Sequence, residues 1–327
     1  MQKRLFGSTG ARVSEVGLGC WQLGGGEWGE VSDDLAMGIL DAAVESGVTF
    51  FDTADVYGGG RSETLIGRYL KENPRDIFVA TKLGRMPDLY PDQYTAGRVR
   101  AAVDASLARL RVEAIDLIQL HCVPYEVMRR AEIFEWLRAL RKEGKIKSFG
   151  ASVESTDEAL LCTAQPGLAS LQVIFNILRQ KPIQALFPDS KEKGIAIIVR
   201  LPLASGLLSG KFRKDTKFGP KDHRNFNRDG QLFNVGETFA GIPFERGVEL
   251  AEAMKAFVPD GMSMSQMAQR WILDHEEVSV IIPGATSAAQ ARENSSVSEL
   301  PALSRELHDR LRRFYEDEVA PFIRGPY

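Results

Sequence analysis

A closed (β/α)8 barrel (a TIM barrel) with an N-terminal β-hairpin and a long loop after its seventh strand is the fold the sequence predicts. Three observations predict it. Eight short β-rich apolar runs alternate with helical stretches, at intervals of roughly 25 to 40 residues apart from a longer span before the eighth. The 327 residues carry no linker-like break, so residues 1–327 read as a single barrel domain. Polar side chains capable of chemistry fall at the ends of successive strands, where barrels of this kind place their active sites. An open doubly wound sheet is the alternative, and it would normally use fewer strands.

The elements follow in order. RLFG and RVSEVG flank Ser8-Thr9-Gly10, a turn-like tripeptide, and read as a hairpin. VGLGC (16–20) is the first barrel strand. Residues 32–46 form a helix with Ser32 as N-cap, Asp33 and Asp34 in the first turn and Gly47 beyond its end. TFFDTA (49–54), IFVATK (77–82), IDLIQLH (115–121) and KIKSFGAS (145–152) are strands two to five, with helices at 63–72, 95–110 and 129–143 between them. A short helix near 156–163 precedes LASLQVIFN (168–176), and a helix over 182–193 precedes IAIIVR (195–200). VSVIIPG (278–284) is the eighth strand, followed by a helix from 287. Residues 211–245 are irregular and rich in Gly, Asn, Asp and Arg, and a loop of that length is usually a lid or a binding segment.

Composition narrows the function. Hydrophobic residues make up 44% and charged residues 26%, enough apolar surface for a large core. Net charge is −3 with no basic stripe, which argues against nucleic acid as a partner. No apolar run approaches the ~18 residues of a membrane span, so no membrane partner is expected. Cys20, Cys122 and Cys162 are few, odd in number and widely spaced, which suggests neither a disulfide framework nor a metal site. The N-terminus lacks the apolar segment of a secretory signal, and a cytoplasmic location is expected. The oligomeric state is left open, and an oligomer is compatible with the sequence.

Three adjacent strand ends converge on one chemistry. Asp52 ends strand two, Tyr57 lies just beyond it in FDTADVYGGG, Lys82 ends strand three and His121 ends strand four. Singly, each has an ordinary structural explanation. Together they assemble a tuned proton donor. A free tyrosine, near pKa ~10, is too weak an acid to protonate a developing alkoxide efficiently. An adjacent Lys⁺ would lower it by roughly 1–3 units. Asp52 would keep the lysine charged, and His121 would orient a carbonyl oxygen. No side chain supplies a hydride, so a nicotinamide cofactor is the expected complement. The glycines of VGLGCWQLGGGEWG do not open directly into a helix, which excludes a Rossmann fingerprint. GLLSGK (206–211) has the wrong spacing for a nucleotide-hydrolysing P-loop, although a glycine turn with Lys211 suits a pyrophosphate.

At these residues the sequence resembles the aldo-keto reductase family over nearly the whole chain. FDTADVYGGG followed by SETLIG, the lysine of ATKLG and the histidine of LIQLH carry the resemblance. It implies NADP(H) lying extended across the barrel mouth and metal-free reduction of a small aldehyde or ketone. Tyr57 would be the general acid, Lys82 and Asp52 its tuners, and His121 the carbonyl-orienting group. For the cofactor it implies Cys20, Trp21, Ser152, Gln172 and Arg200. VRLPLASGLLSGK would wrap the pyrophosphate through Pro202, Leu203, Gly206, Leu207 and Lys211. The adenosine 2′-phosphate segment would contribute Gly284, Thr286, Ser287, Gln290, Glu293 and Asn294. Trp21, Trp28 and Cys122 are the expected substrate contacts. Val153 replaces the asparagine that commonly follows Ser152 in the family. Arg200 stands where many members place an aromatic, which is similar to a bacterial subset related to potassium-channel β subunits. That likeness motivates an alternative, an NADP(H)-binding redox-sensing module with slow turnover acting on a protein partner. A cofactor-free isomerase or lyase would use the same four residues for proton transfer.

Overall fold

The computed structural model describes residues 1–26 and 31–327. Strands β1 (Lys3–Leu5) and β2 (Arg12–Ser14) form the predicted antiparallel hairpin, with Lys3 opposite Ser14. Gly10, at φ 81°, closes its turn. Eight parallel strands follow in sequence order. They are β3 (Leu18–Gly19), β4 (Phe50–Asp52), β5 (Phe78–Leu83), β6 (Ile115–His121), β7 (Ile146–Ser152), β8 (Leu168–Ile174), β9 (Ala196–Arg200) and β10 (Val278–Ile281). The last strand returns to the first. Val16 bridges Ile281, Gly19 bridges Gly284, and the Gly17 N–H donates to the Ile281 carbonyl at 2.8 Å. The sheet therefore closes into a barrel and leaves no free edge.

The helices are α1 (Asp33–Glu45), α2 (Arg61–Glu72), α3 (Ala96–Leu110), α4 (Tyr125–Arg129), α5 (Glu132–Lys142), α6 (Thr156–Thr163), α7 (Pro182–Ala185), α8 (Phe187–Glu192), α9 (His223–Phe226), α10 (Phe244–Met254), α11 (Met264–Leu273), α12 (Ala288–Ser296) and α13 (Arg305–Phe314). Ser32 caps α1 as expected, and Ser155 with Glu158 makes a full capping box on α6. Two predicted helices are split. Ala131, at φ 64°, separates α4 from α5 within 129–143. Pro188, which lacks an N–H, sets the break between α7 and α8 within 182–193. α10 and α11, between β9 and β10, and α13 had no predicted counterpart. The irregular stretch after β9 is observed as expected, a chain of short turns with one short helix, α9. No helix among the described residues is long and apolar enough to cross a membrane.

The hairpin plugs the barrel floor. Phe6 is fully buried, with ring centroids 5.6 Å from Phe50 and 4.9 Å from Phe78, among Ala80, Leu117, Ile198 and Val280 pointing inward from the strands. Filling that end leaves the opposite end, at the strand C-termini, as the open mouth. Phe6→Ala is expected to cost about 3–5 kcal/mol through loss of apolar contact and the void left behind. Urea unfolding of the two proteins measures it.

Candidate active site

Parallel register delivers the predicted residues to the mouth. Asp52 is the last residue of β4, His121 the last of β6, Ser152 the last of β7 and Arg200 the last of β9. Lys82 lies one residue from the end of β5 and pairs with Gln119, while His121 pairs with Ser152 and Ser152 with Gln172. Tyr57 arrives from the turn after β4. Gly58, at φ +61°, lets that turn lie against the Gly24 backbone, where a Cβ would come within 2.3 Å of the Gly24 carbonyl oxygen.

The centre of the site is an ion pair out of reach of water. Lys82 Nζ donates to Asp52 Oδ1 at 2.5 Å, to the Thr53 carbonyl at 2.8 Å and to Tyr57 Oη at 3.4 Å. Asp52 Oδ2 accepts from Gln172 Nε2 at 2.7 Å and from Gln119 Nε2 at 3.2 Å. Every polar hydrogen of the ammonium and both carboxylate oxygens are thus engaged, as burial of charge requires. Burial alone would lower the Lys82 pKa. The Asp52 charge, Tyr57 and the two hydrogen bonds outweigh it and hold Lys82 above its ordinary value. Tyr57 departs from the sequence reading. Lys82 pulls it down, but burial is the larger effect and the phenol ends above its usual pKa. His121 is buried, edge-on to Tyr57 at 5.9 Å, and its Nδ1 makes no hydrogen bond within the chain. Burial and the nearby cations Arg85, Lys82 and Arg200 press its pKa well below that of a free histidine, so the imidazole is neutral.

Other predicted residues lie around this centre. The Trp21 ring stacks on Tyr57 at 5.9 Å and meets His223, from α9, at 4.9 Å. Cys20 and Cys122 are buried thiols whose pKa values burial raises, Cys122 to about 12. Ser152 Oγ reaches Gln172 Oε1 at 3.4 Å, next to the Gln172 nitrogen that serves Asp52. After β9 the backbone turns through Leu201, Ala204, Ser205 and Gly206, all at positive φ. This turn buries Pro202 and Leu207, half-buries Leu203 and leaves Lys211 exposed. A Cβ on Gly206 would meet the Phe212 ring at 2.8 Å, so only glycine fits there. On the rim beyond β10, Ser287 caps α12, and Gln290 Oε1 accepts from the Thr286 N–H and hydroxyl at 2.8 and 3.0 Å. Asn294 Nδ2 donates to the Gly284 carbonyl at 3.2 Å, and Glu293 is exposed. Gly284 packs against the Gln22 amide, where a Cβ would lie at 2.3 Å. Trp28 falls outside the described residues.

A second charged group lies at the mouth around the predicted Arg200, and the sequence reading missed its other members, Arg85, Glu154 and Glu237. Arg85 donates to Glu237 at 2.9 and 3.3 Å and to Glu154 at 2.9 Å. Arg200 pairs with Glu237 at 3.2 Å and donates to the Val153 carbonyl at 3.1 Å. Cys122, Glu154 and Glu237 bring three metal-capable atoms within 4.8 Å, but both carboxylates are already engaged by guanidinium groups. Arg85 and Glu154 were findable, since each lies two or three residues past a predicted site residue at the same strand end. Glu237 has no such signal, because the long loop carries it in. Arg179 secures that loop by donating to the Ala240 and Pro326 carbonyls at 3.2 and 2.5 Å, with its guanidinium 4.3 Å above the Tyr327 ring.

The chain forms a closed parallel barrel whose mouth holds a buried Asp–Lys pair next to a tyrosine and a histidine. Residues 15–316 match the family model described as the Aldo/keto reductase family, and the chain belongs to that family. An uncharacterized oxidoreductase, YqkF, of Bacillus subtilis is 31% identical over 94% of each chain. An NADH-specific methylglyoxal reductase of Escherichia coli is 29% identical, over 90% of this chain and 92% of its own. The holo form of an aldo-keto reductase from Bacillus halodurans superposes with a TM-score of 0.78, at 25% identity and 96% of each chain. The chain is therefore an oxidoreductase of a family that uses nicotinamide cofactors and small carbonyl substrates.

Burial alone would raise the Glu237 pKa, but Arg85 and Arg200 outweigh it and hold the carboxyl at about 2. An unfolded glutamate titrates near ~4.3. A depressed folded pKa means that this contribution to stability is complete above pH ~4.3 and is lost as pH falls through about 2. The stability advantage of the wild type over Glu237→Gln is expected to shrink by ~3 kcal/mol between pH 5 and pH 2. Urea unfolding across that range checks it.

Proposed function

We propose that this protein reduces aldehydes or ketones to alcohols with NADPH as the hydride donor. The observation that carries this reading is the hydrogen-bonded sequence from Asp52 through Lys82 to Tyr57, with His121 edge-on at the same mouth. When bound, the nicotinamide supplies a hydride to the carbonyl carbon. The protein's own work is on the oxygen. Tyr57 Oη holds the proton at neutral pH, since its pKa lies above that of a free phenol. As negative charge develops on the carbonyl oxygen, Tyr57 gives up that proton, and the Lys82 ammonium 3.4 Å away stabilises the phenolate left behind. Asp52 keeps Lys82 charged and fixed. The neutral His121 offers an N–H to orient the carbonyl oxygen without competing for the proton.

The residues present suit the cofactor. Ser152 and Arg200 end their strands at the same mouth, Gln172 lies beside Ser152, Trp21 stacks on Tyr57, and Cys20 is buried; these are the residues that would hold the nicotinamide. The turn from Pro202 to Lys211 runs through positive φ at Ala204, Ser205 and Gly206 and ends on the exposed Lys211, which suits a pyrophosphate. At the adenosine end, the Ser287-capped start of α12 and the Thr286 hydroxyl favour an anion. Neither Thr286 nor Gln290 is basic, so a 2′-phosphate would rest on those uncharged groups alone. All three cysteines are free, which is in keeping with a reducing cytoplasm.

Tyr57→Phe is expected to lower kcat by about 10²–10⁴-fold and to leave cofactor affinity within a few-fold, measured by NADPH oxidation and by quenching of tryptophan fluorescence. The same fluorescence titration is expected to show tighter binding of NADPH than of NADH. Equal affinities would remove the cofactor preference and leave the reductase assignment standing.

A further inference from the structure

Four charged groups beside His121 take no part in the proton transfer described above. Arg85 follows β5, Glu154 follows β7, Arg200 ends β9, and Glu237 descends from the long loop. Glu237 is only 4% exposed. Arg85 reaches both of its oxygens, at 2.9 and 3.3 Å, and Arg200 reaches one at 3.2 Å. Two guanidinium groups closing on one carboxylate is how proteins recognise a carboxylate ligand. Here the carboxylate belongs to the chain itself.

This array adjoins the reacting centre. Cys122 directly follows His121, and its Sγ lies 3.7 Å from Glu237 Oε1 and 3.8 Å from Arg200 Nη2. After burial, the charges of Arg85, Lys82 and Arg200 are what depress the His121 pKa, so the field of the array reaches the imidazole. Glu237 keeps its charge between Arg85 and Arg200, whereas burial and the Glu237 charge push Glu154 up to about 7, so Glu237 is the carboxylate that occupies both guanidinium groups.

Resting on the carbonyl-reductase reading, we propose that Glu237 fills a built-in carboxylate site and thereby restricts the enzyme to uncharged aldehydes and ketones. A substrate with a carboxylate beyond its carbonyl would find both guanidinium groups taken and a fixed negative charge in its path. In a site of low polarity that repulsion is large. Once the Glu237 charge is removed, Arg200 and half of Arg85 become a receptor for the same carboxylate. A loop that served only to hold the lid closed would affect charged and neutral substrates alike.

The test uses 4-carboxybenzaldehyde and its neutral methyl ester, with kcat and KM measured for wild type, Glu237→Asp, Glu237→Gln and the Glu237→Gln/Arg85→Met double variant. Binding of benzoate and benzamide, followed by tryptophan fluorescence, gives a readout without turnover. Wild type and Glu237→Asp are expected to favour the ester. Glu237→Gln should move the acid-to-ester ratio of kcat/KM toward the acid by about tenfold or more, through KM, the effect of gaining a hydrogen bond to a charged group. It should also bind benzoate more tightly than benzamide, and Arg85→Met in that background should cancel both gains. If Glu237→Gln does not fold, Arg85→Gln in the wild type substitutes, and it should push the preference further toward the ester. A protein that reduces the ester but keeps the same ratio in Glu237→Gln overturns the inference and leaves the reductase reading intact. No reduction of either aldehyde overturns the reductase reading, and benzoate binding then decides the carboxylate site alone.

Discussion

The buried ion pair between Lys82 and Asp52 is the constraint around which the mouth of the barrel is arranged. Neither charge reaches water, so each must be fully paired within the protein. Asp52 can meet that demand only because β5, β6 and β8 bring it Lys82, Gln119 and Gln172 from different strands. Lys82, held this way, has one remaining direction in which to act, and Tyr57 lies along it. The proposed catalytic arrangement and the requirement to satisfy buried charge are therefore one piece of geometry. Register matters for the same reason, since a slip of one residue would turn a charged side chain outward and leave its partner uncompensated.

The tyrosine shows how two opposing effects set a function. Proximity to Lys82 favours the phenolate, burial favours the phenol, and burial prevails in the free protein. A donor should carry its proton until charge appears on its acceptor, and this balance provides that. In the proposed proton transfer the lysine would act chiefly on the product. It lowers the cost of the phenolate without creating it beforehand.

Much of the barrel was legible in the sequence because buried parallel strands are short continuous apolar runs, and their polar final residues stand out. Asp52, Lys82 and His121 were visible for that reason, as was the helix capped by Ser32. The positive φ at Ala131 has no compositional signature, and the two-helix segment between β9 and β10 was hidden beside an irregular loop. The sign of the Tyr57 shift was missed because local sequence reports the neighbouring cation and not the depth of burial. Glu237 was missed because 37 residues separate it from Arg200, and only the folding of the loop onto Arg179 and the C-terminal residues brings the two together.

The hairpin that places Phe6 beneath the strands does more than fill space. With its floor sealed, the barrel is a blind cup and not a channel. Whatever enters must leave by the same opening, so reactant and product compete for one doorway. Glu237, carried in by the long loop, stands at that doorway beside Arg85 and Arg200.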